Sequence, residues 1–296
     1  MKRIGITGIT GLLGSSLAGE LRRRGRKVVG FSRNVRPLTM ADEVRPFQEM
    51  DFRGLDAVVH LAGEPIVGWW NASKKERIRT SRVEGTRAVV RALAALGDGE
   101  RPAALVCASA IGYYGDRGDE LLTEEAPAGT GFLAGVVREW EAEALRAEEL
   151  GLRVVRGRIG VVLAAEGGAA QAWKRMFELG LGGRLGNGRQ WVSWVGLPDV
   201  AAMLADASEA PDLRGAVNLV GPSPVRNTDL TRIIARVLGR PALLPAPAFA
   251  LRLALGGMDE MLLHSQRVEP AVFRRRGFAW RQPEIEATLR KAFGKA

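Results

Sequence analysis

The sequence has few of the residues that most often carry chemistry. It contains one cysteine, two histidines and two tyrosines among 296 residues. Cys107 therefore cannot form an internal disulfide, and its place in the apolar run AALVCASA, with no histidine nearby, indicates a buried structural thiol rather than a nucleophile. No metal-ligand spacing is present either, so we predict no metal site.

Long apolar runs are also missing. No stretch reaches the roughly 18 apolar residues that a membrane-spanning helix needs. The N-terminus, MKRIGITG, enters a strand-like segment at once, without the apolar stretch of a signal peptide. We therefore expect a cytoplasmic protein that does not contact membranes.

Lysine is scarce, since only seven of the 43 basic residues are lysine, and the net charge is +10. The basic residues are scattered, with the densest clusters at 22–27 and 274–277. Because neither cluster forms a phosphate track, nucleic-acid binding is the less favoured interpretation. We expect a small-molecule substrate as partner, and a chain that is a monomer or a homodimer.

Apolar strand-like segments alternate with helix-length segments up to about residue 163. This pattern predicts an α/β protein with a Rossmann-type doubly wound parallel sheet. We place one domain at 1–240, in which 164–191 contributes to a small substrate lobe. A Pro/Ala-rich linker at 241–250 then opens a small C-terminal domain at 241–296, which completes that lobe.

The segment GITGITGLLG, residues 5–14, follows the first strand and opens a helix. Gly8 permits a tight turn, Gly11 lets a pyrophosphate approach the backbone, and Gly14 allows close helix–strand packing. The helix N-terminus then offers free N–H groups to the phosphates. In this strand–turn–helix context the glycine spacing predicts a dinucleotide site.

The second strand ends in VVGFSRN, with Ser32 and Arg33 where an NAD-binding protein has a carboxylate for the ribose 2′-OH. An arginine offers a planar fork to a 2′-phosphate instead, which predicts NADP(H). An exposed loop arginine without a ligand remains the alternative. DAVVHLAGEP, at 56–65, is predicted as the fourth strand, with His60 packed inside the sheet.

These segments resemble the extended short-chain dehydrogenase/reductase superfamily, and in particular its atypical epimerase family branch, which is NAD-dependent epimerase/dehydratase-like. The resemblance is carried by TGxxGxxG at 7–14, LAGEPI at 61–66, KERIRTSR at 75–82, SAIGYYGDRG at 109–118, LGLGGRLGNGRQWVSW at 179–194 and GPSPVRN at 221–227. It implies a Rossmann fold, a nicotinamide cofactor and a small C-terminal domain.

The superfamily performs acid/base chemistry with a serine or threonine, a tyrosine, and a lysine four residues after the tyrosine. Ser109 matches the first, but the other two positions fall at Phe132 and Val136, neither of which can carry a proton. Tyr113 and Tyr114 are the nearest phenols. We therefore take Ser109, Tyr113 and Tyr114 as candidate catalytic residues, with the tyrosines equally open to a role as pocket wall or core.

The remaining site predictions follow from the motifs and from the resemblance. The residues predicted to contact the cofactor are Thr7, Gly8, Thr10, Gly11, Leu12, Leu13, Gly14, Ser32, Arg33, Leu61, Ala62, Gly63, Arg82, Gly160 and Val161. Those predicted to line the substrate pocket are Glu64, Gln190, Trp191 and Trp194. Arg82 could instead form a salt bridge on a helix face, and the tryptophans could be core.

Two functions stay open at this point. The first is an NADP(H)-dependent oxidoreductase or sugar-nucleotide-epimerase-like enzyme acting on a small carbonyl or alcohol, in which the cofactor supplies the hydride. The second is an NADPH-binding regulatory or scaffold protein without turnover, which the missing Tyr/Lys pair favours. Gly196, where the branch tends to have a histidine, weakens any chemistry shared across the branch.

Overall fold

The computed structural model describes residues 1–242 and 244–295. Its strands are β1 (Arg3–Thr7), β2 (Lys27–Ser32), β3 (Glu43–Pro46), β4 (Ala57–His60), β5 (Ala104–Ala110), β6 (Leu121–Leu122), β7 (Arg153–Ile159), β8 (Val161–Leu163), β9 (Trp191–Val192), β10 (Trp194–Gly196), β11 (Gly215–Leu219), β12 (Val225–Arg226) and β13 (Arg267–Val268). Its α-helices are α1 (Leu12–Arg23), α2 (Ala72–Ala94), α3 (Phe132–Leu145), α4 (Gly168–Glu178), α5 (Leu197–Glu209), α6 (Asn227–Leu238), α7 (Ala248–Leu255), α8 (Asp259–Leu263), α9 (Ala271–Arg275) and α10 (Ile285–Ala292). Short 3₁₀ helices cover Ile111–Tyr114 and Arg146–Leu150.

A seven-stranded parallel sheet forms the centre of the molecule, in the order β11-β7-β5-β4-β1-β2-β3. Helices α1 and α5 cover one face, and α2 and α3 cover the other. Apolar side chains project from both faces of the inner strands, because each face packs against helices. The predicted doubly wound Rossmann-type fold is confirmed.

The C-terminal third builds a smaller cluster beside this sheet. Helices α4, α6 and α10 pack together around Trp194, and β8 pairs with β10. The predicted linker at 241–250 is too long, because α7 already begins at Ala248. One linker position, Leu243, lies outside the described residues. Among the described residues, no helix is both long and apolar enough to cross a membrane.

Candidate functional site

The glycine loop joins β1 to α1 at the carboxyl edge of the sheet. Gly8 has φ 72°, and a Cβ there would lie 2.8 Å from the Ala62 nitrogen. A Cβ on Gly14 would lie 2.7 Å from the Ile9 Cα. Gly11 precedes α1 without a side-chain cap, so the first N–H groups of this helix are free for an anion. The loop therefore fits a phosphate cradle.

Two buried polar residues close the bottom of this cradle. Thr7 Oγ1 and His60 Nδ1 are 2.6 Å apart across β1 and β4. Burial lowers the pKa of the His60 imidazole to about 4, so the ring is neutral at pH 7. His60 is thus the packed strand residue that the sequence predicts. Leu61, Ala62 and Gly63 follow it along the edge.

Ser32 and Arg33 lie at the carboxyl end of β2. The Asn34 N–H donates to Ser32 Oγ at 3.2 Å, which shapes the turn. Arg33 is exposed, and within the described residues its guanidinium has no ion pair or side-chain hydrogen bond. Arg36, which sequence reasoning did not single out, is also exposed in this turn. Both cations are available to a phosphate on this side.

Arg82 projects from α2 towards the end of β4. Its Nη1 donates to the Glu64 and Ile78 carbonyl oxygens, each at 3.2 Å, and its guanidinium lies 5.3 Å from the Trp140 ring centre. Burial lowers the pKa of this guanidinium, against the opposing effect of Glu64. Within the described residues no carboxylate forms an ion pair with this guanidinium. Its charge can therefore still bind an anionic or polar group of a ligand.

Glu64, predicted to face the substrate, is held by α2 instead. Its carboxylate accepts from Lys74 Nζ at 2.8 Å and lies 3.5 Å from Arg77 Nε. The Lys74 hydrogen bond is the main cause that lowers the pKa of this carboxyl. These contacts therefore hold in place the segment after β4, in which the Glu64 carbonyl oxygen accepts the hydrogen bond from Arg82.

Ser109 lies inside a buried ionic network at the other end of the edge. Its Oγ donates to Glu141 Oε1 at 2.6 Å, and Arg158 contacts both oxygens of that carboxylate, at 2.8 and 3.0 Å. Arg156 adds a further bond of 2.8 Å. Because its only proton is directed to the Glu141 side chain, Ser109 is not placed to donate to a substrate carbonyl.

The two tyrosines join the same network. Tyr114 is fully buried, donates to Asn218 Oδ1 at 2.7 Å and accepts from Arg158 Nη1 at 3.0 Å. Burial raises the pKa of its phenol. Tyr113 lays its ring 3.5 Å from the Arg158 guanidinium carbon. Tyr114 is a core residue here, whereas the Tyr113 hydroxyl makes no hydrogen bond within the described residues.

The head of α3 is apolar, as the sequence predicts. The Phe132 ring lies 5.7 Å from that of Trp70 and 5.3 Å from Lys75 Nζ, and Val136 is buried. Burial also raises the pKa of the Cys107 thiol, to about 12, which makes it the inert thiol expected from the sequence. Neither α3 position of the usual Tyr/Lys pair can move a proton.

The predicted pocket residues divide in two. Gln190 lines a surface cavity of about 290 Å³ with Arg189 and Arg226, and Trp191 lies beneath the Arg226 guanidinium at 4.1 Å. Trp194 is a correction, because it is 1% exposed and its Nε1 donates to the Ser223 carbonyl oxygen. Its large apolar surface fills the C-terminal cluster rather than a pocket.

Gly160 and Val161, predicted to offer backbone groups to the cofactor, connect β7 to β8. The Gly160 N–H donates to the Leu219 carbonyl oxygen at 3.1 Å, and the Val161 N–H donates to that of Ser193 at 2.9 Å. Both donors are therefore used within the protein. Any cofactor contact here would have to use another group.

The edge from β2 to β4 thus defines a nucleotide-binding protein of the Rossmann class. Residues 4–221 match the family described as "NAD dependent epimerase/dehydratase family", and 246–292 match a domain of unknown function. The chain therefore belongs to the NAD dependent epimerase/dehydratase family, which confirms the resemblance seen in the sequence.

Individual relatives agree with this assignment. The chain is 38% identical to an epimerase family protein of Mycobacterium tuberculosis, over 97% of this chain and 96% of the relative. It is 34% identical to the chloroplastic SDR39U1 homolog of Arabidopsis thaliana, over 97% and 85%. The crystal structure of human epimerase family protein SDR39U1 with NADPH superposes with a TM-score of 0.90 at 30% identity, covering 99% of this chain and 100% of that one.

Proposed function

We propose that the protein binds NADP(H) and acts as an oxidoreductase or an epimerase-like enzyme on a small carbonyl or alcohol. The observation that carries the proposal is the set of donors and cations without a carboxylate partner along the β1, β2 and β4 edge. The glycine cradle, exposed Arg33 and the guanidinium of Arg82 lie along this edge, and none has an anionic partner among the described residues.

The 2′-phosphate is assigned to Ser32 and Arg33. A planar guanidinium binds a phosphate through paired, charge-assisted hydrogen bonds, and β2 does not end in the carboxylate that would bind a free ribose 2′-OH. The crystal structure of the human relative, which was solved with NADPH, supports this choice. Arg36 is a second cation that could contact the same phosphate.

Arg82 is assigned to the nicotinamide end. It lies beside Gly63, where an added Cβ would be 3.9 Å from its guanidinium carbon. When bound, the cofactor supplies a hydride donor or acceptor, and the chain must hold it and exclude water. The cavity near Arg189 and Gln190 is assigned to a polar part of the substrate, since Asp119 in its lining already pairs with Arg226 at 2.6 Å.

The second candidate is an NADPH-binding regulatory or scaffold protein that does not turn over. It is favoured by the state of the proton carriers, since Ser109 and Tyr114 are bonded inside a closed network and Phe132 and Val136 are apolar. Tyr113 is the phenol that remains for an enzyme, and it lacks a lysine partner.

Parallel titrations with NADPH and NADH, followed by nicotinamide fluorescence, test the proposal. We expect NADPH to bind more tightly, and Arg33→Ala to weaken NADPH binding by about ten- to a hundredfold while leaving NADH unchanged, since a charged hydrogen bond is lost. Arg232→Ala, an exposed arginine on α6, is the control.

Equal affinity for both nucleotides, or no effect of Arg33→Ala, would contradict the NADP(H) assignment. Purified protein that binds NADPH should next be mixed with a panel of small aldehydes, ketones and nucleotide sugars, with absorbance at the NADPH band as the readout. Turnover that falls in Tyr113→Phe favours the enzyme, whereas tight binding without any turnover favours the scaffold.

A further inference from the structure

The chain between Ala246 and Ser265 crosses the head of α3 while being fixed at both ends; we call residues 247–264 the strap. At its start, the Ala246 N–H donates to the Arg184 carbonyl oxygen and its own carbonyl accepts from the Gly186 N–H, both at 2.8 Å. At its end, the Ser265 N–H donates to Asp116 Oδ1 at 3.0 Å. Close to this end the Gln190 Nε2 also donates to the Leu262 carbonyl oxygen, at 2.9 Å. These contacts anchor the two ends of the strap on the body of the protein.

Packing between the anchors is sparse. None of the side chains described from 247 to 264 is buried, and Phe249 and Leu253 are 73% and 81% exposed. Gly256 and Gly257 separate α7 from α8 with φ of 58° and 101°. Segments with few buried apolar contacts open at a low free energy, and adjacent glycines can absorb the backbone rotation.

One charged contact fastens the strap to α3. The Glu260 carboxylate accepts from the Phe132 N–H at 3.2 Å and from the Leu133 N–H at 3.1 Å. These are the first donors of a helix whose preceding residue, Gly131, has no capping side chain. An anion at this end of a helix is favoured by both the free N–H groups and the dipole.

The contact lies over the apolar site that replaces the usual proton carriers. Phe132, the residue that Glu260 caps, packs against Trp70 and Lys75, and a Cβ on Gly257 would lie 2.9 Å from Lys75 Nζ. Next to them, the Gly68 N–H points at Met258 Sδ at 3.4 Å, a weak bond. The strap therefore covers the head of α3 while making few strong contacts with it.

We infer that the strap is a hinged cover, latched by Glu260 on the first turn of α3 and opening about Gly256 and Gly257. Its release uncovers Phe132 and the neighbouring Trp70 without disturbing the sheet. That the uncovered surface admits substrate to the cofactor edge formed by β1, β2 and β4 rests on the proposed function. The opening itself does not.

Hydrogen exchange on the full chain, with peptides covering 248–263, tests the latch, together with the rate of tryptic cleavage after exposed Arg252. We expect Glu260→Ala to raise both by about five- to tenfold, as for the loss of a helix cap, and Glu260→Gln to have a smaller effect because its amide oxygen still accepts. Glu178→Ala, an exposed glutamate ending α4, is the matched control. Exchange in β1, β4 and β5 should stay unchanged.

An increase confined to the first turn of α3 would overturn the inference, because Glu260 would then be a cap and nothing more. A uniform increase across the sheet would overturn it too, since the strap would be part of one cooperative unit. A parallel NADPH titration reports separately on the proposed function. If the strap opens in Glu260→Ala but the wild-type protein does not bind NADPH, the latch is supported and the proposed cofactor is rejected. If the wild-type protein binds NADPH but the strap of Glu260→Ala is unchanged, the cofactor is supported and the latch is rejected.

Discussion

The two halves of the carboxyl edge treat polar groups in opposite ways. From β2 to β4, the helix α1 donors, Arg33 and Arg82 have no anionic partner within the described residues. From β5 to β11, Ser109, Glu141 and Arg158 are bonded to one another and buried. The first half, which we call the open half, has the form of a binding site. The second, the closed half, has the form of a structural core.

This difference explains how a chain can keep the fold while lacking the usual proton relay. A cofactor site needs donors that are free before the ligand arrives, whereas the polar groups of a buried network stabilise the fold by bonding to one another. Glu141 accepts from Ser109, Arg156 and Arg158 at once, so the Ser109 hydroxyl is already engaged, whereas Arg156 Nε has no hydrogen-bond partner among the described residues. Hydride chemistry would have to find its proton elsewhere, and Tyr113 is the candidate.

Removing the centre of the closed network should give the largest effect. Glu141→Ala leaves the buried Arg158 and the partly buried Arg156 without a counter-charge, so we expect the free energy of unfolding to fall by about 3–5 kcal/mol. The NADPH affinity of the folded fraction should not change, because the substitution does not touch the edge from β2 to β4. Urea denaturation measures the first quantity and fluorescence titration the second.

Glu139→Ala on the same helix is the control. Glu139 forms an exposed ion pair with Arg79, which is worth about 0–1 kcal/mol. A cost near that value for Glu141→Ala as well would show that the network is not the stabilising element proposed here, and the contrast between the two halves would lose its basis.

The sequence was informative where chemistry depends on neighbours in the chain. The glycine loop, Ser32–Arg33 and the buried strand at His60 all lie within short segments whose spacing predicts their structure. Ser109–Glu141 and Tyr114–Asn218, which are 32 and 104 residues apart, join only through the order of the strands. No local pattern marks such a partnership.

Two other differences have equally physical causes. Trp194 could be pocket or core from the sequence, because an indole suits either, and only the packing of α4, α6 and α10 decides for core. Strand β3, with the sequence EVRP, has no apolar pattern from which it could be predicted, since it is a short, half-exposed edge strand.

The open half can be tested through its backbone. In Gly14→Ala the new methyl would meet the Gly8–Ile9 backbone, which cannot give way. We therefore expect the free energy of unfolding to fall by about 1–3 kcal/mol and NADPH binding to be lost. Gly19→Ala, on the same helix with open space around it, should instead stabilise the protein by about 0.5–1 kcal/mol. Thermal melts and NADPH titrations of both variants check this.

If Gly14→Ala binds NADPH as well as Gly19→Ala does, the loop is not the phosphate cradle. The cofactor half would then be as closed as the other half, and the proposed function would lose its main support.

The smallest expected effect concerns His60, which lies between the halves. Its pKa is about 4 in the folded protein and about 6.5 when unfolded, so the unfolded state binds a proton first as the pH falls. Its contribution to stability is present above pH 6.5 and is lost as the pH falls towards 4. From pH 7 to 5.5 we expect the free energy of unfolding to decrease by about 1 kcal/mol more in wild type than in His60→Asn.

Denaturant titrations at both pH values measure this double difference, in which the shared carboxylates cancel. His264→Asn, at the end of α8, controls for removing a histidine outside the sheet. Equal pH dependence in wild type and His60→Asn would mean that the imidazole reaches water or a charged partner. His60 at the end of β4 would then belong to the binding site. The boundary between the binding site and the core would lie at β5 instead of β4.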